Sequence, residues 1–386
     1  MIPSLGSGSA NANTFTILIG GQAAQDLASA IAELDVEENA DMPSAFFMTL
    51  PVKVTTDGDY DTVNDSRLAP MSNIAITATG GDGQTQCLID GYVLAQTVHL
   101  DTGTVSSTVK VWGQDATWLM NTTENVKEWV DVTDGAVANS IFGNYGITPD
   151  DSNLDDDSPA HTEDGHSLMQ RATDAQFLRR LARRNGKLFR VYCTDTPGQR
   201  TGLFARPSLD GDPVITLTLN DATAATVSAV DISWDIMRPS ATVAMQELFT
   251  DSDPTGAGGT VSDSGLDPLE AQSLSAFATT TVTSVLTATV DDAEELTERA
   301  QSVLTEAGWF VRCTGTADVN RLGSILRVGT VVQLSAAGSL HSGKYFVWSV
   351  KHKITSEAHT MDFVLVRNAV GSPSGGGGGL LGGLGV

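Results

Sequence analysis

Cysteine is scarce: Cys87, Cys193 and Cys313 are the whole complement of a 386-residue chain. An odd, widely spaced set inside apolar, strand-like runs argues against a disulfide framework and for buried thiols, compatible with assembly in a reducing cytosol. No apolar run approaches the roughly 18 to 20 residues that span a bilayer as a helix. The opening MIPSLGSGSANAN lacks the basic-plus-apolar pattern of a secretory signal. Positive charge is also thin, with 22 Lys and Arg against 47 Asp and Glu, a net charge of −25 and a pI near 4.3. That balance disfavours non-specific attraction to nucleic acid phosphate or an anionic membrane.

Catalytic signatures are missing as well. The sequence has no Gly-x-Ser-x-Gly, no phosphate-cradling glycine loop followed by Lys and Ser/Thr, no Cys-x-x-Cys and no His-Glu-x-x-His. Carboxylates are plentiful, yet no Glu stands in an apolar run that would raise its pKa for acid catalysis. The acidic stretch DDSNLDDDSPAHTEDGH places Asp151, Asn153 and Asp155 at the first, third and fifth positions of a calcium loop. It fails where Asp156 replaces the turn glycine and Thr162 replaces the bidentate glutamate, with Glu163 one residue late. A solvated acidic loop pairing with nearby arginines is the expectation. His161 and His166 lack the partners and register of a zinc site, and His352 is expected on a strand surface. No catalytic, cofactor-binding or metal-ligating residue is therefore assigned, and no cofactor.

What the chain does contain is strand pattern punctuated by turns. TFTILIGG, the two runs within 36 to 54, SNIAITATGG, QTQCLIDGYVLAQTVHL and STVKVWGQDATWLM alternate and are bounded by Gly, Asp or Asn. Antiparallel strands at this spacing predict a barrel or sandwich. Residues 27 to 34 fit helix and strand equally. Further on, QRATDAQFLRRLARRNGKLFRVY (170 to 192) reads as a capped helix feeding a strand. Thr173 and Asp174 cap its start, and Phe177, Leu178 and Leu181 form one apolar stripe. Arg179, Arg180, Arg183 and Arg184 take the other faces, and Gly186 ends the helix in the left-handed region. In the strand, Leu188, Arg190 and Tyr192 should oppose Phe189 and Val191. A second helix is capped by Thr133 or Asp134 and ends within 143 to 146. A third, DDAEELTERAQSVLTEAGW, sets Leu296, Ala300, Val303, Leu304 and Ala307 on one side. A Gly-, Asp- and Ser-rich linker is expected near 249 to 268.

Several phrases carry a family likeness. They are Tyr145-Gly146-Ile147 after a helix, Gln170 three residues before Thr173-Asp174, and Phe-Leu-x-x-Leu-Ala before Asn185-Gly186. The closing segment adds Gly329 to Leu334, Ser342 to Tyr345, Lys351 to Ile354 and Arg367-Asn368-Ala369. In these the chain resembles the late-control-D type tail hub proteins of contractile-tailed phages, phage-like contractile injection systems and the hub portion of type VI secretion spikes. The resemblance implies a mainly β fold with α+β insertions: two tube-like β-barrel domains and a middle α/β domain. Its layout would be a flexible arm (1 to 13), a first barrel (14 to 115), the middle domain (116 to 212), a second barrel (213 to 245 and 322 to 369), an insertion (246 to 321) and a flexible Gly-rich tail (370 to 386).

The implied function is a structural, non-enzymatic baseplate hub: a homotrimer that adapts a six-fold tail tube to a three-fold central spike around an axial channel. Implied partners are the tail tube protein, the central spike protein, baseplate wedge proteins and the tape measure protein. DNA would be passing cargo only, and no stable membrane association is expected. The place implied is the baseplate of a virion or injection system, assembled in the host cytoplasm. Two readings of other classes stand beside it: a stand-alone β-rich binding or adhesion protein, and a tail-associated glycan-cleaving enzyme using acids of the 150 to 157 loop.

Overall fold

The structure is a computed structural model that describes residues 15 to 371 except 104–105, 155–157, 159, 164–166, 222–223, 248–255, 289 and 291–292. The expected arm and most of the Gly-rich tail lie outside the described residues.

Alternating apolar residues dictate the main feature, a 13-stranded sheet. From one edge its order is Val227–Trp234, Val311–Asp318, His359–Arg367, Gly343–Ile354, Glu33–Asn39, Ala45–Pro51, Thr108–Asp115, Thr85–His99, Asn73–Thr79, Phe15–Ile19 and Gln22–Ala23, all antiparallel. The long strand Gly343–Ile354 forks the sheet. Its beginning pairs with Val331–Ser335, which pairs in parallel with Thr216–Thr218, while its end pairs with Glu33–Asn39. The N-terminal and C-terminal strand groups thus meet along Gly343–Ile354 and Glu33–Asn39, and the described pairings do not close either group into a ring. One continuous apolar core, from Ile17 to Val370, lies behind the joined sheet.

A second core sits wholly within 116 to 204. Its helix Asp174–Arg184 starts where the sequence places it, with Thr173 Oγ1 accepting from Gln176 N at 3.3 Å. Phe177, Leu178 and Leu181 are buried as a stripe. The helix ends through Lys187 N to Ala182 O (2.8 Å) and Gly186 N to Arg183 O (3.4 Å), with Gly186 at φ +65°. That paired closure needs a left-handed residue, which Gly adopts without steric cost. The helix Asp134–Asn144 ends in the same way at Gly146, after a Thr133 cap. In Leu188–Cys193, Phe189 and Val191 join this second core, while Arg190 and Tyr192 turn the other way. Residues 27 to 34 resolve into a short helix, Gln25–Ala30, followed by the strand Glu33–Asn39.

The region 246 to 321 departs from a simple insertion. Val311–Asp318 is an interior strand of the large sheet. Gly256–Val261, expected as linker, is a strand paired with Ala241–Glu247, which also pairs in parallel with Thr283–Leu286. The helix Ala293–Gly308 lays Leu296 and Ala300 on this small sheet, against Ala244 and Val290.

Candidate functional site

Where the two strand groups join, the alternation of Glu33–Asn39 turns Leu34, Val36 and Glu38 inward. The alternation of Gly343–Ile354 likewise turns Val350, His352 and Ile354 inward. Glu38 and His352 are therefore buried in the seam, with His352 fully inaccessible to solvent. The surface position expected for His352 is corrected by this geometry: alternation, not polarity, decides the face. Glu38 is buried by the same alternation, though its pKa is not raised there.

Arg327 answers the buried carboxylate. Its Nε lies 3.1 Å from both Glu38 oxygens and its Nη2 lies 2.8 Å from Oε1, while Nη2 also donates to the Cys193 carbonyl at 3.0 Å. His352 Nε2 lies 3.3 Å from Glu38 Oε2, and its Nδ1 lies 3.1 Å from His359 Nε2. Burial alone would raise the Glu38 pKa, but Arg327 and His352 outweigh it and hold the group at about 2. Burial, reinforced by His352, brings His359 down to about 3. Burial lowers Arg190, the neighbouring cation from the middle unit. The cluster joins the N-terminal strands, the C-terminal strands and the middle unit through one carboxylate. A permanently ionised, fully paired Glu is a structural clasp, since a general acid needs a raised pKa.

Two similar knots hold the middle unit. Asp174 accepts from Gln170 Nε2 (2.6 Å), Tyr145 Oη (2.7 Å) and Asn125 Nδ2 (3.0 Å), and Trp129 Nε1 donates to Gln170 Oε1 (3.1 Å). This accounts for a Gln spaced three residues before the Thr-Asp cap. Asp134 binds Arg184 Nη2 at 3.0 Å, His161 Nε2 at 2.7 Å and Asn185 Nδ2. Burial would raise Asp134, but His161 and Arg184 prevail and lower it. Among the described residues the helix arginines pair with carboxylates outside the acidic loop, Arg184 with Asp134 and Arg183 with Asp41 at 2.8 Å, and Arg184 reaches the loop at His161, its Nη2 3.5 Å from Nε2. His161 is a partner of Asp134, while His166 lies outside the described residues.

In the acidic loop, Asp155 and Asp156 lie outside the described residues. Asn153, a proposed third-position ligand, spends its amide on Phe204 N (2.6 Å) and Gly202 O (2.8 Å). Thr162 and Glu163 are exposed. Burial would raise Asp150, but hydrogen bonds from Ser152 and Tyr192 hold it below the usual carboxylate range. Burial does push Asp115 up to about 6, yet the cavity beside it holds about 10 Å³, too little for a sugar ring. All three thiols are free and buried. Cys193 Sγ donates to the Cys87 carbonyl at 3.1 Å, and contact with Cys87 and burial raise its pKa.

On the other face of the large sheet, polar rows cross the seam. Thr316, Asp362, Lys351 and Glu37 align across four strands, and Thr360, Lys353 and Asp35 form the next row. Lys351 pairs with Asp35 at 2.8 Å and Lys353 with Asp362 at 2.7 Å. Carboxylates and lysines thus alternate along this face. Further on, Phe47 is half exposed beside Trp112, their ring centroids 6.2 Å apart.

The motifs of the closing segment serve packing. Arg367 is fully buried over the Tyr345 ring (4.5 Å) and donates to the carbonyls of Leu340 and Ser342, and Asn368 accepts from Leu269 N at 2.9 Å.

A mainly β chain with this forked sheet and this middle α/β unit has the fold of phage tail proteins. The 43 kDa tail protein of prophage MuSo2 from Shewanella oneidensis superposes with a TM-score of 0.63 at 16% identity, covering 93% of this chain and 99% of that one. A tail protein from Neisseria meningitidis gives 0.64 at 14%, covering 92% and 97%. An Escherichia coli component of the type VI secretion system, itself similar to bacteriophage T4 tail proteins gp27 and gp5, gives 0.53 at 10%, covering 93% and 79%. At these identities the shared property is the fold. The chain belongs to the family described as the Alg8 N-terminal domain, whose model matches residues 9 to 356. No curated protein matches it.

Proposed function

We propose that the chain is a structural hub of a tail baseplate, a homotrimer that adapts a six-fold tube to a three-fold spike and encloses an axial channel. The observation that carries this reading is the seam: two strand groups joined into one sheet, with rows of charged and polar residues that cross it. Repetition of a paired strand group within each chain is what a three-fold ring needs to present a pseudo-six-fold surface. The near-complete overlap with two whole tail proteins supports the same reading. The polar face would line the channel, with tube, spike, wedge and tape measure proteins as partners and DNA as passing cargo. The site of action would be the baseplate of a virion or injection system after assembly in the host cytoplasm. The chain would act without turnover, since the buried carboxylates are either clasped or walled off from substrate-sized space.

Light scattering on the purified chain tests this. The hub reading expects a particle near three times 40.4 kDa. A particle of single-chain mass at high concentration overturns it and leaves the β-rich binding protein in its place.

A further inference from the structure

One cavity of about 300 Å³ opens between the end of the helix Asp174–Arg184, the helix Ala293–Gly308 and the large sheet. Its floor is aromatic: Trp309 stacks on Phe346 with centroids 5.6 Å apart, and Trp348 tilts against Trp309 at 6.1 Å. Arg183, Arg238 and Arg312 stand around the opening and buried Lys187 lines the wall, in a chain with only 22 cations and a net charge of −25. Two carboxylates, Asp41 and Glu306, share the lining. Asp41 is taken by Arg183 at 2.8 Å, while Arg238 pairs with Asp235 through Nε at 3.6 Å and donates from Nη1 to the Glu306 backbone carbonyl at 3.4 Å. Arg312 is exposed on the strand Val311–Asp318 and makes no ion pair among the described residues.

We propose that this cavity is a docking site for an acidic peptide segment of a partner protein, one aromatic side chain seated on Trp309 and Trp348 and a flanking carboxylate held by Arg312. Trp and Arg together make the energetic centres of protein interfaces, because a flat ring desolvates well and a guanidinium grips a carboxylate with two donors. The volume lies at the small end of ligand pockets and admits one large side chain. That size favours a peptide anchor over a nucleic acid strand, whose backbone needs an extended basic groove. The long-range field points the same way. Repulsion by the whole chain grows with the ligand's charge, so a segment with a few carboxylates approaches where a polyphosphate does not.

The probe is the capped tetrapeptide acetyl-Asp-Trp-Asp-Glu-amide, titrated by calorimetry into the full chain beside its amide counterpart, acetyl-Asn-Trp-Asn-Gln-amide, and a short oligothymidylate. The acidic peptide should bind at least about tenfold more tightly than the amide. Arg312→Glu should remove that advantage with the melting temperature unchanged, since the side chain is exposed, and Arg312→Lys should restore part of it. Equal affinity for the two peptides, acidic binding indifferent to Arg312→Glu, no binding of the acidic peptide, or tighter binding of the oligothymidylate would each overturn the assignment.

Discussion

Glu38 places a negative charge in the core, and the arrangement persists because Arg327 and His352 meet it there. Removing one partner of such a group leaves the others buried and uncompensated, at a cost of about 3–5 kcal/mol. Glu38→Gln should therefore lose stability of that order at neutral pH, read by urea unfolding. The effect should carry a pH signature. Glu38 stays ionised in the fold down to about 2 against an ordinary 4.5, so its contribution is complete above pH 4.5 and disappears as pH falls through about 2. His359, neutral in the fold down to about 3 against an ordinary 6.5, adds stability that is complete above pH 6.5 and lost on the way down. Asp115 opposes both: raised to about 6, it favours the fold below its ordinary 3.8 and loses that contribution as pH rises through about 6. The variant should lack the loss of stability below pH 4.5, and an identical acid slope in both proteins would remove Glu38 from its assigned role. At this scale the sequence held more than its polarity suggested. The spacing of Leu34, Val36 and Glu38, and of Val350, His352 and Ile354, already sets both polar groups on an inward face. Which cation meets them, however, is set by Arg327, 289 residues away from Glu38 in the chain.

The helix Asp174–Arg184 is the element most legible from sequence, because a helix start, an apolar stripe and a glycine stop are all local. Leu181 is buried at 3% exposure, whereas the Arg183 side chain is 57% exposed beside Asp41. Leu181→Asp puts an unpaired charge into the second core and should give insoluble protein or a loss of several kcal/mol. Arg183→Glu sacrifices one exposed pair and should cost about 1 kcal/mol or less. Thermal melts of the two variants decide the matter, and equal destabilisation would reverse the faces. The destination of the arginines was not legible, since Asp41 and Asp134 are close to them only after folding. Strand existence was legible for the same reason as the helix, and strand neighbours were not. Alternation marks an inward face but carries no information about which of thirteen strands lies alongside, so Val311–Asp318 read as part of an insertion although it is paired on both sides within the large sheet, second from one edge.

For the whole molecule, charge would set the conditions of the proposed assembly. Three copies at −25 each repel one another, and salt screens that repulsion within about 10 Å at 0.1 M. If the proposed trimer forms, its dissociation midpoint, followed by sedimentation, should move to lower protein concentration as salt rises, and duplex DNA should stay unbound even at low salt. Weakening of the assembly by salt, or tight DNA binding, would contradict a repulsive acidic particle. The seam has another consequence, in time. Glu38 and His352, which meet across it, are 314 residues apart in the chain. During synthesis the strand Glu33–Asn39 leaves the ribosome early, and one edge keeps its N–H and C=O groups unpaired until Gly343–Ile354 arrives to cover it. A growing chain therefore carries an open edge until Gly343–Ile354 has been made. A product broken off before that strand is a half-sheet with an adhesive margin, so for this protein the arrival of one late strand and safety from aggregation are the same event.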